Sequence, residues 1–201
     1  MKEIVLASNN AGKLAELQAM FAPLGLTLLP QAQLHITEAE EPFFTFIENA
    51  LAKARHASLH SGLPALADDA GLCVDAFNGL PGVQTAFYCT QFGYLKSDEN
   101  NRQALLEQMA HETNRRAALV STLVAVRNPL DPEPLIAVGR VVGEITHEPR
   151  GSHGFGFDPV MYIPSMQQTF AEMPEATKNA LSHRGQASRL MSELMRERWL
   201  A

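Results

Sequence analysis

The start of the chain changes from an apolar run to a pattern with the spacing of a helix. Residues 3–7 are mostly apolar and alternate little, which predicts a short buried strand. The next apolar residues recur at helical intervals and predict a helix over about 11–21. The residues of this apolar stripe are Leu14, Leu17, Met20 and Phe21. The chain therefore opens with a strand that leads directly into a helix.

The following segments repeat this alternation. PLGLTLLP predicts a turn and a second strand, and Thr45 with Glu48 fits the capping box of a long helix over about 45–59. LPALADDAGLCV predicts a further strand that ends in two aspartates and a glycine. Strands that alternate with helices favour an α/β fold, in which ligands bind at the carboxyl ends of strands.

From about Ala117 the chain becomes rich in β-forming residues. AALVSTLVAV and LIAVGRVVGEIT flank the proline-rich RNPLDPEP, and together they predict a long hairpin. HGFGFDPVMYIP predicts a glycine–aromatic loop that leads into another strand. The final segment, SHRGQASRLMSELMRERWL, has an amphipathic pattern that predicts a helix with Ser182 as its N-cap.

Composition and charge narrow the classes of ligand. The chain has 201 residues, is 46% hydrophobic and carries a net charge of −6, so we expect one domain over residues 1–201. The acidic balance argues against a nucleic acid polymer as partner, because binding of a phosphate backbone needs a basic face. A small phosphorylated ligand fits, since a few local lysines suffice for it.

The sequence also favours a location. The apolar run at residues 4–7 is too short for a signal peptide or a membrane span. Cys73 and Cys89 could pair, but nothing in their setting indicates a disulfide scaffold. We therefore expect a reduced, cytoplasmic protein that does not associate with membranes.

The first strand–helix junction is a candidate anion site. A helix N-terminus offers unpaired N–H groups and the positive end of the helix dipole, and asparagine can donate amide hydrogens. The stretch is not a Walker A loop, because Ala7 and Leu14 stand where glycine and serine or threonine should be. The alternative is a polar N-cap with an exposed lysine. The candidate residues are Ser8, Asn9, Asn10, Ala11, Gly12 and Lys13.

The ADDAG stretch is a candidate metal site. Mg²⁺ takes one or two protein carboxylates and completes its shell with water and phosphate oxygens, so Asp68 and Asp69 suit it. Glu40 and Glu41 offer further oxygen ligands. Neighbouring carboxylates without a cation would repel each other, and one would take up a proton. The alternative is a simple turn, in which Asp-Asp-x-Gly is common.

The GFGFD stretch, residues 154–158, is a candidate for binding a flat group. Its glycines suit a flexible loop whose rings close over a stackable ligand, and Asp158 would accept a hydrogen bond at the ligand's edge. The alternative is that Phe155 and Phe157 anchor the loop in the core, which is the common fate of phenylalanine.

The KNALSHRG stretch clusters three potential cations near a helix start. Lys178, His183 and Arg184 in this setting favour recognition of a phosphate or a carbonyl group. The alternative is a solvated basic patch. With the three stretches before it, this cluster describes a site for a nucleoside triphosphate.

The chain resembles the non-canonical purine NTP pyrophosphatases over essentially its whole length. The motifs that carry the resemblance are ASNNAGKLAEL, TFIENALAKARHA, ADDAGL, GLPGV, GFGFDP, AEM and KNALSHRGQA. The resemblance implies a mixed, elongated central sheet flanked by helices, in two lobes with the active site in the cleft between them. It also implies a Mg²⁺-dependent homodimer that splits ITP, dITP and XTP into the monophosphate and pyrophosphate.

The resemblance assigns roles motif by motif. Asp69 would be the general base and a metal ligand, Glu41 the first choice for the second metal carboxylate and Glu40 the next. Residues 8–13 would hold the triphosphate, and Ala70 would lie at the substrate. The residues implied to bind the base and sugar are Phe155, Gly156, Phe157, Asp158, Lys178, His183 and Arg184.

Selectivity would be decided at the purine 6-position. Hypoxanthine and xanthine present a carbonyl acceptor there and adenine an amino donor, so protein donors would favour the former.

Two residues depart from the pattern of the family. Ala70 stands where the family usually has serine, and Phe87 stands where it commonly has arginine. Neither change removes the implied metal site, so we expect activity to be retained with an altered KM. Two rival functions stay open: a pyrophosphatase for other modified nucleotides, and a non-catalytic nucleotide sensor.

Overall fold

The computed structural model describes residues 3–200, whose strands form a seven-stranded sheet. The strands are β1 (Glu3–Leu6), β2 (Thr27–Pro30), β3 (Ala65–Val74), β4 (Arg116–Val126), β5 (Leu135–Ile145), β6 (Met161–Ile163) and β7 (Gln168–Thr169). Their order is β2-β1-β3-β4-β5-β6-β7. β1 runs parallel to β2 and β3, whereas β6 runs antiparallel to β5 and β7. The sheet is therefore mixed, as predicted, and β4 and β5 are neighbours where a hairpin was expected.

Residues 3–200 contain five α-helices. They are α1 (Ala11–Phe21), α2 (Phe46–Ser61), α3 (Asp98–Gln108), α4 (Glu175–Leu181) and α5 (His183–Arg198). α1, α2 and α5 confirm the helices predicted from the pattern, while α3 and α4 have no counterpart among them. The Thr45 hydroxyl caps α2 by accepting a hydrogen bond from the Glu48 N–H. None of the helices in residues 3–200 is long and apolar enough to cross a membrane.

The chain forms two compact units. The first is built from three stretches, namely the residues up to Asp69, Ser121–Gly139 and the residues from His183 onward. The second is built from Ala70–Val120 and Arg140–Ser182. The first unit contains two hydrophobic core clusters and the second contains one, each built from that unit's own described residues.

The first unit buries both faces of its strands. Ile4 and Leu6 of β1 pack into one core, and Val5 with Ala7 packs into the other, because side chains alternate along a strand. The first core also holds buried residues of α1 and α5, and the second holds those of α2. Helices therefore cover both faces of these strands.

The second unit packs α3 against residues of β3 and of the GFGFD stretch. Leu72, Leu105 and Phe157 belong to its single core. Phe157 is 5% exposed, so this phenylalanine anchors its loop in the core, one of the two alternatives raised by the sequence.

The strand that carries the aspartates does not end at them, and that prediction is wrong. β3 continues to Val74, so Asp68 and Asp69 lie within the strand. Leu66 is the last residue of β3 that pairs with β1, opposite Leu6. The aspartates therefore lie just beyond the carboxyl end of β1, although their own strand continues.

Candidate active site

The two adjacent aspartates face opposite sides of the sheet, because successive side chains alternate along a strand. Leu66 belongs to the core that contains α1 and α5, and Ala67 belongs to the core that contains α2. Asp68 therefore faces α1 and α5, whereas Asp69 faces α2. Since both lie in a regular strand, the alternative that ADDAG is only a turn is wrong.

Asp68 is surrounded by positive charge. Its Oδ2 lies 3.0 Å from Arg184 Nη2 and 3.0 Å from Lys13 Nζ, and the Ser121 hydroxyl donates to Oδ1 at 2.6 Å. Burial alone would raise the pKa of Asp68, but the charges of Arg184 and Lys13 outweigh it and hold this pKa well below its usual range. Asp68 therefore stays ionised and ties α1, β4 and α5 to β3.

Arg184 binds a second carboxylate on the same face. Its Nη1 donates to Glu16 Oε2 of α1 at 2.6 Å, and its side chain is 3% exposed. Lys178 and His183 are also buried. The alternative of a solvated basic patch is therefore wrong, because all three side chains of this cluster lie inside the protein.

Asp69 has a different environment on the other face. Lys53 of α2 donates to Asp69 Oδ1 at 2.9 Å and to Glu41 Oε2 at 2.7 Å, so one ammonium group joins both carboxylates. Burial raises the pKa of Asp69, Lys53 opposes the rise and Glu41 adds to it. Asp69 Oδ2 is buried and has no hydrogen-bond partner among the described residues.

This arrangement fits a hard cation. A buried carboxylate oxygen without a partner is costly, and a metal ion would satisfy it. Asp69 and Glu41 offer oxygens, which Mg²⁺ prefers, and Mg²⁺ needs only one or two carboxylates from a protein. Glu40 and Glu41 are both exposed loop residues, but Glu41 contacts Lys53, which also binds Asp69. Within residues 3–200, no group of three or more His, Cys, Asp or Glu side chains is arranged to hold a metal.

The entrance of α1 has the geometry of a capped helix. Asn10 Oδ1 accepts from the Lys13 N–H at 3.0 Å, and Ser8 Oγ accepts from the Asn10 N–H at 3.2 Å. Asn9 donates to Glu38 at 3.0 Å. The polar N-cap of the alternative is therefore present, but the lysine is not exposed: its side chain is 19% exposed and points at Asp68.

The second unit holds a separate cluster around the GFGFD loop. Lys178 Nζ lies 2.7 Å from Asp158 Oδ2, and both side chains are 6% exposed. The same oxygen accepts from the Phe155 N–H at 2.9 Å. The Lys178 ammonium also lies 4.8 Å from the centroid of the Phe155 ring. A loop amide, a carboxylate, an ammonium and an aromatic ring thus form one connected group.

The residues that sequence reasoning missed are the partners of the aspartates: Lys53, Glu16 and Ser121. Lys53 carried a signal, because it lies one helical turn after the buried Asn49 and borders the apolar stripe of α2. Glu16 and Ser121 carried no comparable signal, since their contacts depend on elements far apart in the sequence.

The structure also shows the surroundings of Ala70 and Phe87, the two residues that depart from the pattern of the family. Ala70 is half-buried in β3. Phe87 is 48% exposed, and the Lys96 ammonium lies 3.9 Å from the centroid of its ring. A cation therefore lies against the side chain that stands in the place of an arginine.

Comparison with known proteins identifies the family. A sequence model described as the Ham1 family matches residues 4–194. This chain belongs to the Ham1 family. Among its relatives, a dITP/XTP pyrophosphatase of Albidiferax ferrireducens is 74% identical over 198 residues, which cover 98% of this chain and 100% of the relative.

Solved structures of Ham1 proteins share the fold. A HAM1 protein from Coxiella burnetii is 45% identical, with a TM-score of 0.90 over 98% of this chain and 100% of the other. A Nucleoside-triphosphatase / dITP/XTP pyrophosphatase from Mycobacterium abscessus is 36% identical, with a TM-score of 0.73 over 96% and 97% of the two chains. The resemblance to this class of protein and the predicted α/β fold are therefore confirmed.

Proposed function

We propose that this chain is a Mg²⁺-dependent pyrophosphatase that hydrolyses ITP, dITP and XTP to the nucleoside monophosphate and pyrophosphate. Its role would be to clear deaminated purines from the nucleotide pool. The proposal rests on its membership of the Ham1 family and on relatives named dITP/XTP pyrophosphatase. The observation that carries it is the unpartnered, buried oxygen of Asp69 beside Lys53 and Glu41.

Asp69 and Glu41 would hold the metal. Bound there, Mg²⁺ would supply charge stabilisation for phosphate oxygens. Lys53 holds these two carboxylates together without a metal, because its ammonium binds both Asp69 and Glu41 and offsets their mutual repulsion. Glu40 is the second choice, after Glu41, for this metal carboxylate.

Asp69 would also act as the general base. In the proposed reaction Asp69 orients a water molecule and takes its proton, the water oxygen bonds to phosphorus, and the α–β phosphoanhydride bond breaks to release pyrophosphate. Asp69 Oδ2 is not engaged by any described residue, and a carboxylate oxygen has two lone pairs, so this oxygen can face the metal ion with one and the attacking water with the other.

The start of α1 would bind the phosphates. Residues 8–13 bring the N–H groups of a helix start and its dipole. Lys13 would add its positive charge. Its ammonium lies 3.0 Å from the buried Asp68 Oδ2, and the Lys13 side chain is itself 19% exposed. The proposed roles of Ser8 to Lys13 thus follow from helix geometry and charge.

The loop cluster of the second unit would recognise the base. Phe155 offers a ring, Asp158 an acceptor and Lys178 a donor that can satisfy the carbonyl at the purine 6-position. His183 and Arg184 keep their proposed base-binding roles from the resemblance, although the observed contacts of Arg184 are with Asp68 and Glu16.

The test is pyrophosphate release from ITP, XTP, dITP, GTP, ATP and dTTP, with and without Mg²⁺. We expect metal-dependent release from ITP, XTP and dITP, with ATP and dTTP nearly inert. Preference for a different nucleotide would move the protein to the rival pyrophosphatase function. Binding of ITP without any release would make it a sensor.

We further propose that the protein is a cytoplasmic homodimer. The resemblance implies the homodimer, and the cytoplasmic location is the expectation drawn from the sequence. Sedimentation of the full chain at micromolar concentration tests it: a single species of twice the chain mass supports the dimer, and a monomer that retains full activity contradicts it.

A further inference from the structure

Helix α3 holds the backbone of Gly156 at both its N–H and its carbonyl group, which belong to two successive peptide groups. The Gly156 N–H donates to Asp98 Oδ2 at 2.8 Å, and Arg102 Nη1 donates to the Gly156 carbonyl oxygen at 2.8 Å. Asp98 and Arg102 lie one turn apart on the same face of α3, so together they can bind both backbone groups of the same residue. Both bonds involve a charged side chain, and such bonds are stronger than those between neutral groups.

α3 is itself well anchored in the second unit. Ser97 caps it by accepting from the Asn100 N–H at 3.0 Å. The buried Asn101 accepts from the Cys89 N–H at 2.9 Å and donates to the Ala86 carbonyl at 3.2 Å. Leu105 is fully buried in the core. The helix is therefore a fixed support from which Asp98 and Arg102 reach the loop.

Gly156 lies in the centre of the proposed base-binding group. Gly156 separates Phe155 from Phe157, and its φ of +59° belongs to the left-handed region that glycine adopts readily. The loop is tightly built, because a Cβ at Gly154 would overlap Asp158 Oδ2. Any shift of the Gly156 backbone would therefore displace the Phe155 ring and the carboxylate of Asp158.

We propose that Asp98 and Arg102 are positioning residues that set the selectivity for the purine base. They do so by fixing the backbone of Gly156, so that Phe155, Asp158 and Lys178 keep the arrangement that recognises a 6-oxo group. This inference rests on the proposed function. No motif in the sequence pointed to either residue.

The experiment compares Asp98→Ala with Glu99→Ala in the full-length protein. Both substitutions remove an acidic side chain from the first turn of α3, so each loses a favourable interaction with the helix dipole. Of the two residues, Asp98 is the one that contacts Gly156. For Asp98→Ala we expect KM for ITP to rise about three- to tenfold, with a smaller change in kcat, because one charged hydrogen bond is lost. The ratio of kcat/KM for ITP to that for ATP should fall. Glu99→Ala should match the unsubstituted protein.

Two further variants distinguish the loss of these hydrogen bonds from a general loss of folding. Asp98→Asn keeps an acceptor oxygen for the Gly156 N–H, so we expect it to restore most of KM and selectivity. Arg102→Met keeps the apolar stem of the side chain but removes its donors, so it should reproduce the defect of Asp98→Ala with thermal unfolding close to that of the unsubstituted protein.

Each outcome has a definite meaning. If Arg102→Met retains the KM and the ITP-to-ATP ratio of Glu99→Ala, the inference is overturned. It is also overturned if Glu99→Ala loses selectivity as much as Asp98→Ala does. If the unsubstituted protein releases no pyrophosphate from ITP, the proposed function itself fails, which is a different result.

Discussion

Asp69 Oδ2 has no hydrogen-bond partner in residues 3–200, whereas both oxygens of Asp68 accept hydrogen bonds. The two residues have the same side chain, and the alternation of a strand sends them to opposite faces. On one face Asp68 meets two positive charges that hold it ionised. On the other face Asp69 shares one ammonium group with Glu41 and keeps an oxygen available.

Asp69→Asn should therefore remove catalysis while leaving the fold and substrate binding in place. We expect kcat for ITP to fall by about 10²–10⁴, which is the usual contribution of a general base, while KM changes little. Steady-state kinetics measure both. Asp75→Asn is a suitable control, because Asp75 is a surface residue whose ion pair within residues 3–200 is with Arg116 at 3.5 Å. Turnover by Asp69→Asn at the normal rate would exclude the general-base role.

Substitution of the neighbouring Glu40 and Glu41 in turn distinguishes between these two candidates for the second metal ligand. Glu41→Gln should raise the Mg²⁺ concentration for half-maximal activity by about tenfold or more, because a ligand or its support is lost. Glu40→Gln, with the same change of charge one residue away, should leave it unaltered. A magnesium titration of both variants decides the matter: the opposite order would make Glu40 the ligand, and equal values would exclude both. Removal of Mg²⁺ with a chelator should abolish activity in every variant.

At the scale of elements, the cap of α2 is a local feature whose contribution can be isolated. Thr45→Ala removes the hydroxyl that accepts from the Glu48 N–H, so we expect the free energy of unfolding to fall by about 1 kcal/mol. Urea denaturation measures the change. Thr113→Ala, in an exposed turn, should change it far less. Equal values for the two variants would show that the cap contributes nothing.

The elements that the sequence predicted well are those defined by local signals. α1 has its apolar stripe and the Asn10 cap within a single segment, and its predicted bounds agree with those observed. The end of β3 was predicted wrongly, because a strand continues wherever a neighbour supports it, and β3 lies between β1 and β4. α3 was missed because its sequence is mostly polar and only a few of its side chains are buried.

The candidate site was predicted in part for the same reason. Asp69, Glu41 and Lys13 stand in motifs that can be read from the sequence, and the structure places Asp69 and Glu41 around one ammonium group. The sequence could not show that Arg184 would contact Asp68, since 116 positions separate them. Which cation meets which carboxylate is a property of the tertiary fold.

At the scale of the whole molecule, Arg184 joins distant parts of the first unit. It contacts Asp68 in β3 and Glu16 in α1 from its own position in α5. Arg184→Met would leave buried carboxylates without their main partner, so we expect the free energy of unfolding to fall by about 3–5 kcal/mol.

The matched control for this change lies on the same helix. Arg198→Met breaks only an exposed pair with Glu133 at 3.2 Å, which should cost less than about 1 kcal/mol. Urea denaturation of both variants tests the expectation. If Arg184→Met kept normal stability but lost activity, the role of Arg184 would be in binding the base rather than in holding the unit together.

The first unit is assembled from three separate stretches of chain, and this has a consequence for its biosynthesis. On the ribosome, Asp68 and the core residues of β1 and β4 emerge long before α5. This helix carries Arg184, which binds Asp68, and it packs on one face of the strands of the first unit. Both stretches of the second unit are translated before α5. The first unit therefore cannot complete its fold in order along the chain, because the contacts of α5 form only after this last helix has been made.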